Sequence, residues 1–161
     1  MAAYFPLFVN IEHKSFCVFG AGHIAARRIQ GLLRFGAVVT VIAPRVLEEI
    51  ENMQSAYAGQ LYIEYRSYRM GEIRDENTDY VLAATDDAAV NSSIYRECRH
   101  KEIPVNNASD RGQCDFYFPA IVREDELVIG LTAGGTDHKK VRRAAAWLRN
   151  HICEYPDESM R

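Results

Sequence analysis

The stretch Ser15-Phe-Cys-Val-Phe-Gly-Ala-Gly-His-Ile-Ala-Ala-Arg-Arg28 constrains the fold more than any other part of the chain. An apolar run, Phe16 to Phe19, meets Gly20-Ala21-Gly22-x-x-Ala25, and amphipathic sequence follows without a gap. That order is a strand, a tight glycine turn and a helix start, the arrangement that cradles the phosphates of a dinucleotide. Gly20 permits the turn, Gly22 removes a Cβ that would block a pyrophosphate, and Ala25 lets the helix pack closely on the strand. The unpaired N–H groups of the new helix then face the phosphates. On this spacing Gly20, Ala21, Gly22, His23 and Ile24 are candidate cofactor-binding residues. The competing reading of the motif by itself is a strand–helix turn with no ligand.

The pattern around it repeats. Helical periodicity is expected from His23 to about residue 35, with Ile24, Ile29, Leu32 and Leu33 on one stripe and Gly36 as its stop. A second buried strand spans 37–43 and is closed by Pro44, with a helix at 46–57. A third strand at 61–65 alternates with polar residues and is expected at a sheet edge. A fourth strand spans 80–84, a helix capped by Asp86 or Asp87 runs to about His100, and a fifth strand covers 103–106. Continuous apolar strands alternating with helices predict an α/β fold, a Rossmann-type doubly wound parallel sheet. Ligands of such sheets bind beyond the carboxyl ends of the strands. That rule gathers Gly20–Gly22, Ala43-Pro44-Arg45, Thr85-Asp86-Asp87 and 106–110 into one site.

After Gly112 the pattern changes. Residues 116–122 and 127–132 read as two strands of a hairpin joined by Arg123-Glu-Asp-Glu126, and a helix from Lys139 to about residue 153 follows Gly134-Gly135. A lone hairpin is marginal in water, so a second copy of the chain is the expected partner. The expected organisation is a dinucleotide-binding domain at 1–112, a dimerisation hairpin and helix at 113–153, and a polar, frayed tail at 154–161. The net charge of −3 gives no global attraction to nucleic acid. No apolar run is long enough to cross a membrane. Four scattered cysteines without a C-x-x-C pair read as reduced cytoplasmic thiols. The five histidines form no i, i+4 pair and no Cys–His zinc spacing, so no metal site is expected.

The chain resembles the precorrin-2 dehydrogenase module of siroheme synthesis. The matching pieces are Tyr4-Phe-Pro-Leu-Phe8, Val18-Phe-Gly-Ala-Gly-x-Ile-Ala-Ala-Arg-Arg28, Val39-Thr-Val-Ile-Ala-Pro44, Ala83-Ala-Thr-Asp-Asp-x-x-x-Asn91, Val105-Asn106, Cys114-Asp-Phe-x-Phe-Pro-Ala120 and Gly134-Gly135. The resemblance implies a homodimer that oxidises a tetrapyrrole, precorrin-2, to sirohydrochlorin with NAD; iron insertion, which some members add, is left unassigned. The chain departs from the family at Ser109, where an acid is usual, at Ala133, at Thr136-Asp137-His138, and in stopping where a helical domain would begin. A non-catalytic dinucleotide-binding sensor of the same descent is the alternative.

The candidate roles follow. Asp110 is the candidate base, with Ser109 as its hydrogen-bonding partner; the plain alternative is an Asx-type turn. Thr85, Asp86 and Asp87 line the nicotinamide end, cap a helix, or do both. Ala43, Pro44 and Arg45 end the second strand without the acid that often binds a ribose. Arg45 is there either a solvated turn charge or a contact to a 2′-phosphate that would favour NADP. A polycarboxylate substrate calls for cations, so Asn106, Arg111, Lys139 and Arg142 are candidate substrate-binding residues. Lys139 and Arg142 belong to a basic run that otherwise reads as a solvated helix face.

Overall fold

The computed structural model describes residues 4–152, apart from the side chain of Asp75; the expected tail at 154–161 and Cys153 lie outside the described residues. Residues Asn10–Tyr117 form one compact unit, and the other gathers the residues up to Val9 with those from Phe118 onward.

The first unit holds strands β1 (Ser15–Phe19), β2 (Val38–Ile42), β3 (Leu61–Glu64), β4 (Tyr80–Ala83) and β5 (Val105–Asn107). They make one parallel sheet in the order β3-β2-β1-β4-β5, with β3 at an edge. Helices α1 (His23–Arg34), α2 (Glu48–Ala56) and α3 (Ala88–His100) follow β1, β2 and β4. This is the expected doubly wound order. The central strands β1, β2 and β4 are largely apolar and buried on both faces, while the edge strand β3 exposes Tyr62 and Glu64. Phe19, Val81, Ala83, Ile94, Cys98 and Val105 form a buried cluster between strands and α3.

The crossover from β3 to β4 carries no α-helix, only a short 3-10 turn at Asp75–Asn77. Glu97 of α3 fastens that loop instead. Its carboxylate accepts from the Tyr68 hydroxyl at 2.5 Å and from the Gly71 and Ile73 N–H groups at 2.9 Å each. Lys101, at 3.4 Å from Glu97, donates to the Ile73 carbonyl. Ile73 is thereby held in the buried cluster, with Tyr68 edge-on to Phe19. A residue pair and two aromatics replace the missing helix.

The unit ends five residues beyond the expected boundary at 112. The chain returns antiparallel along β5 through the Asn106–Cys114 bridge, and Asp115 accepts from Val105 N–H while its own N–H donates to the Val105 carbonyl. Phe116 packs edge-on to Tyr80. Residues 116–119 therefore do not belong to the hairpin strand, and Pro119, lacking an N–H, sits just before it.

In the second unit, β6 (Ala120–Glu124) and β7 (Leu127–Leu131) pair antiparallel as a two-stranded sheet, and α4 (His138–His151) follows. Val122 and Ala145 are buried where α4 meets β6, and Arg149 donates to the Ile121 carbonyl.

Candidate functional site

The site is set by register. Phe19 lies level with Ile42 on one side and Ala83 on the other, and Ala83 lies level with Asn107. The loops that follow therefore all leave the same edge of the sheet. Backbone bonds splice them: Gly20 N–H to Ile42 O (3.0 Å), Ala84 N–H to Phe19 O (2.8 Å) and Ala108 N–H to Ala83 O (2.8 Å). β1 and β4 are neighbours where the strand order reverses, the usual ligand crevice of this topology.

The two glycines of the opening motif have different jobs. Gly20 has φ +101°, and a Cβ there would lie 2.3 Å from the Ala84 carbonyl oxygen. It is needed for the close passage of β1's exit past β4's. Gly22 has ordinary extended geometry, and a Cβ there would meet nothing within 4 Å. Its missing side chain leaves open space at the start of α1.

That helix start is unlike the other three. Asp87 accepts from the Ala89 and Val90 N–H groups to close α3, and Asp137 accepts from Lys140 N–H to close α4. The first turn of α2 carries Glu48, Glu49 and Glu51. α1 has Gly22 as its cap, no side-chain cap bond and no acid in its first turn. Its positive end and N–H groups are left for an anion, the condition a bound pyrophosphate requires. His23 and Ile24 are exposed on that turn, whereas Ala21 is buried and its carbonyl accepts from Leu47 N–H. Ala43 is buried, and Pro44 and Arg45 are exposed beside it.

At the β4 and β5 ends a hydrogen-bonded chain joins the two loops. Asn91, 0 % exposed, accepts from Thr85 N–H (3.0 Å) and Thr85 Oγ1 (2.7 Å). It donates to Thr85 O (3.1 Å) and to Ser109 Oγ (2.9 Å). Asn107 Oδ1 accepts from Ser109 N–H (2.9 Å) and from the Ser109 hydroxyl (2.8 Å), and Asn107 Nδ2 donates to Gln113 Oε1. Thr85 and Ser109, both given candidate roles from sequence, are thus brought together through Asn91, which stood in a matching motif with no role assigned. Asp87, not Asp86, is the helix cap.

Asp110 is exposed and accepts from Gly112 N–H at 2.8 Å, the Asx-type turn. Arg111 lies 5.3 Å over the Tyr117 ring, whose hydroxyl donates to the Arg111 carbonyl. Asn106 is not at the rim: it is 2 % exposed, accepts from Arg28 Nη1 (2.7 Å) and donates to the Phe116 carbonyl (2.7 Å). Burial, and then its Arg27 neighbour, pulls the Arg28 guanidinium below its ordinary pKa. Lys139 and Arg142 are exposed on α4 in the other unit. Among the described residues, no three His, Cys, Asp or Glu side chains come together, and no helix is long and apolar enough to cross a membrane.

A family model described as NAD(P)-binding matches residues 7–120. The chain belongs to this NAD(P)-binding family. The open α1 terminus and the space beside Gly22 fit the group that the family binds. The chain is also 38% identical over 149 residues to a protein of Ruminiclostridium josui described as a probable multifunctional siroheme biosynthesis protein, HemA, covering 90% of this chain and 28% of that one. It is 34% identical over 149 residues to the siroheme synthase of Nitrosospira multiformis, covering 92% of this chain and 32% of the relative. The chain thus spans about a third or less of the curated relatives it matches. Among solved structures it is similar to SirC, a precorrin-2 dehydrogenase, with a TM-score of 0.70 and 27% identity, over 98% of this chain and 73% of that one. The family resemblance drawn from the motifs is borne out.

Asn107 and Gln113 are residues that sequence reasoning missed, and Asn91 and Arg28 stood in the matching motifs with no role assigned. A further signal was composition: two asparagines end β5, and a third sits on the buried stripe of α3, where an unpaired amide would be costly.

Proposed function

We propose that the chain is an NAD-dependent dehydrogenase that oxidises precorrin-2 to sirohydrochlorin in siroheme biosynthesis, acting as a homodimer in the cytoplasm. The observation that carries this reading is the likeness to SirC over 98% of the chain. In the balanced reaction the substrate loses a hydride and a proton, giving sirohydrochlorin, NADH and a released proton. Bound oxidised nicotinamide supplies the hydride acceptor.

The chain's own residues bind, orient and handle the proton. Gly22, His23 and Ile24 hold the pyrophosphate at the α1 terminus, and Gly20 and Ala21 shape the turn that presents them. Ala43, Pro44 and Arg45 border the adenosine end, where exposed Arg45 is a turn charge and NAD is the cofactor assigned, not NADP. Thr85, Asp86 and Asp87 border the nicotinamide end. Asp110, the exposed carboxylate of the β5 loop, takes the proton, and Ser109 beside it is a hydrogen-bonding partner, since its own proton is committed to Asn107. Arg111 supplies a cation for the substrate's carboxylates, and Lys139 and Arg142 are assigned to them on charge alone. Asn106 braces Arg28 from below the surface.

The homodimer is supported by exposed apolar surface on the second unit: Phe5, Leu7 and Phe8 are 86%, 75% and 72% exposed, in the same unit as the two-stranded sheet of β6 and β7. Free thiols at Cys17, Cys98 and Cys114 favour a reducing compartment. The sensor alternative is favoured by one observation: Ser109 and Asp110 are both engaged by neighbouring groups. Incubation with precorrin-2 and NAD separates the two. Sirohydrochlorin formation that falls at least tenfold in Asp110→Ala supports the enzyme, and NAD binding without product supports the sensor.

A further inference from the structure

We propose that Asn91 is a positioning residue for the dehydrogenation: it fixes the sense in which Ser109 can hydrogen-bond and the distance between the β4 and β5 loops. The proposal rests on the dehydrogenase reading above. Asn91 has no role in starting α3, because Asp87 already caps that helix. Asparagine is also a poor helix former, and here it is completely buried. All its partners lie on the two rim loops: the N–H, carbonyl and hydroxyl of Thr85, and the hydroxyl of Ser109.

These partners leave the amide one orientation. Thr85 N–H is an obligate donor and Thr85 O an obligate acceptor, so Asn91 Oδ1 must face the first and Nδ2 the second. A flipped amide would set donor against donor. Asn107 is fixed in the same way, because the Ser109 N–H must meet its Oδ1. The Ser109 hydroxyl lies between the two amides. It must accept from Asn91 Nδ2 and donate to Asn107 Oδ1, and only lone-pair capacity remains for a third partner.

Ser109 therefore offers a ligand an acceptor and no proton. Its partner is an N–H donor, of the kind carried by a nicotinamide carboxamide or by a pyrrolic nitrogen. The same amide that sets this sense anchors Thr85, and Thr85 follows Ala84, the residue against which Gly20 is packed. Asn91 thus ties the exits of β1, β4 and β5 to one another without itself reaching the surface.

The test combines the apo protein with turnover. In Asn91→Ala without ligand, the Thr85 amide should exchange at least tenfold faster by NMR, with Val18 and Val81 in the sheet interior unchanged. Per folded molecule, kcat should fall at least tenfold. Ser109→Ala leaves the Asn91–Thr85 bonds intact and should also lower kcat. An NAD Kd within twofold of wild type then marks the pyrrolic nitrogen as the donor, and a weaker Kd marks the carboxamide. The double variant should be no worse than Asn91→Ala, which already loses both the Thr85 anchor and the sense of the Ser109 hydroxyl. Additive losses, or an unchanged kcat in folded Asn91→Ala, would overturn the role of Asn91. Should Asn91→Ala not fold, Ser109→Ala decides: an unchanged kcat overturns the proposal. A wild-type chain without turnover would instead overturn the dehydrogenase reading, and this role with it.

Discussion

A Cβ on Gly20 would stand 2.3 Å from the carbonyl oxygen of Ala84, so the exits of β1 and β4 pass each other backbone to backbone. The neighbouring Gly22 is open on the same criterion. One glycine of the pair therefore serves the fold and the other the ligand.

Substitution should separate them. Gly20→Ala is expected to cost about 3–5 kcal/mol, combining a side chain at positive φ with a backbone clash, and to lower the melting temperature steeply. Gly22→Ala should cost under about 1 kcal/mol of stability yet weaken NAD binding at least tenfold. Thermal melts and calorimetric titrations on the two variants check this. Equal loss of stability in both would contradict it.

Acid should loosen the β3–β4 crossover first. Burial pushes the Glu97 carboxyl up, but the Tyr68 hydroxyl, the Gly71 and Ile73 N–H groups and Lys101 outweigh it, and the net shift is downward. A carboxylate depressed in the folded state stabilises above its unfolded value, near 4.3, and that stability is lost as the pH falls through the folded value. Asp79, held down by the Ser15 N–H and Lys14, adds in the same direction. Melting temperature should fall with pH below about 4, and Glu97→Gln should flatten that slope while lowering stability at neutral pH.

The thiols of half-buried Cys17 and buried Cys98 should be inert. Burial, reinforced by Glu72 for Cys17 and by Glu97 for Cys98, pushes each up to about 12. With almost no thiolate at neutral pH, neither should alkylate in the native protein. Both should react with iodoacetamide in guanidinium, as peptide mass spectrometry would read. Modification of either under native conditions would contradict the packing described.

Association should depend on the exposed N-terminal aromatics. Phe5→Ser combined with Phe8→Ser removes two side chains that are 86% and 72% exposed. Equilibrium sedimentation should show dimers for the wild type and a shift toward monomers for the variant. A wild-type chain that sediments as a monomer would sink the homodimer.

The parallel sheet was legible because its strands are short apolar runs, and β2 and β4 lie within one residue or so of their expected bounds. The glycine turn was legible for the same local reason. Gly20's contact with Ala84, however, joins residues 64 apart, and no short-range pattern encodes it. The same holds for the bond from Asn91 to Ser109, which crosses from α3 to the loop after β5. Asn106 was misplaced at the rim since its neighbours in sequence are there. Its partners, Arg28 and Phe116, come from distant segments and draw it inward. Pro119 marked the true start of the hairpin, but the apolar run through Phe116 obscured it.

The central claim is tested most directly by stoichiometry. Purified protein is mixed anaerobically with precorrin-2 and NAD, so that dioxygen cannot take the electrons, and NADH and sirohydrochlorin are followed by absorbance. The dehydrogenase account predicts one NADH formed for each sirohydrochlorin, at a rate proportional to protein and at least tenfold lower in Asp110→Ala. Binding of NAD with no NADH formed over the spontaneous background would contradict it.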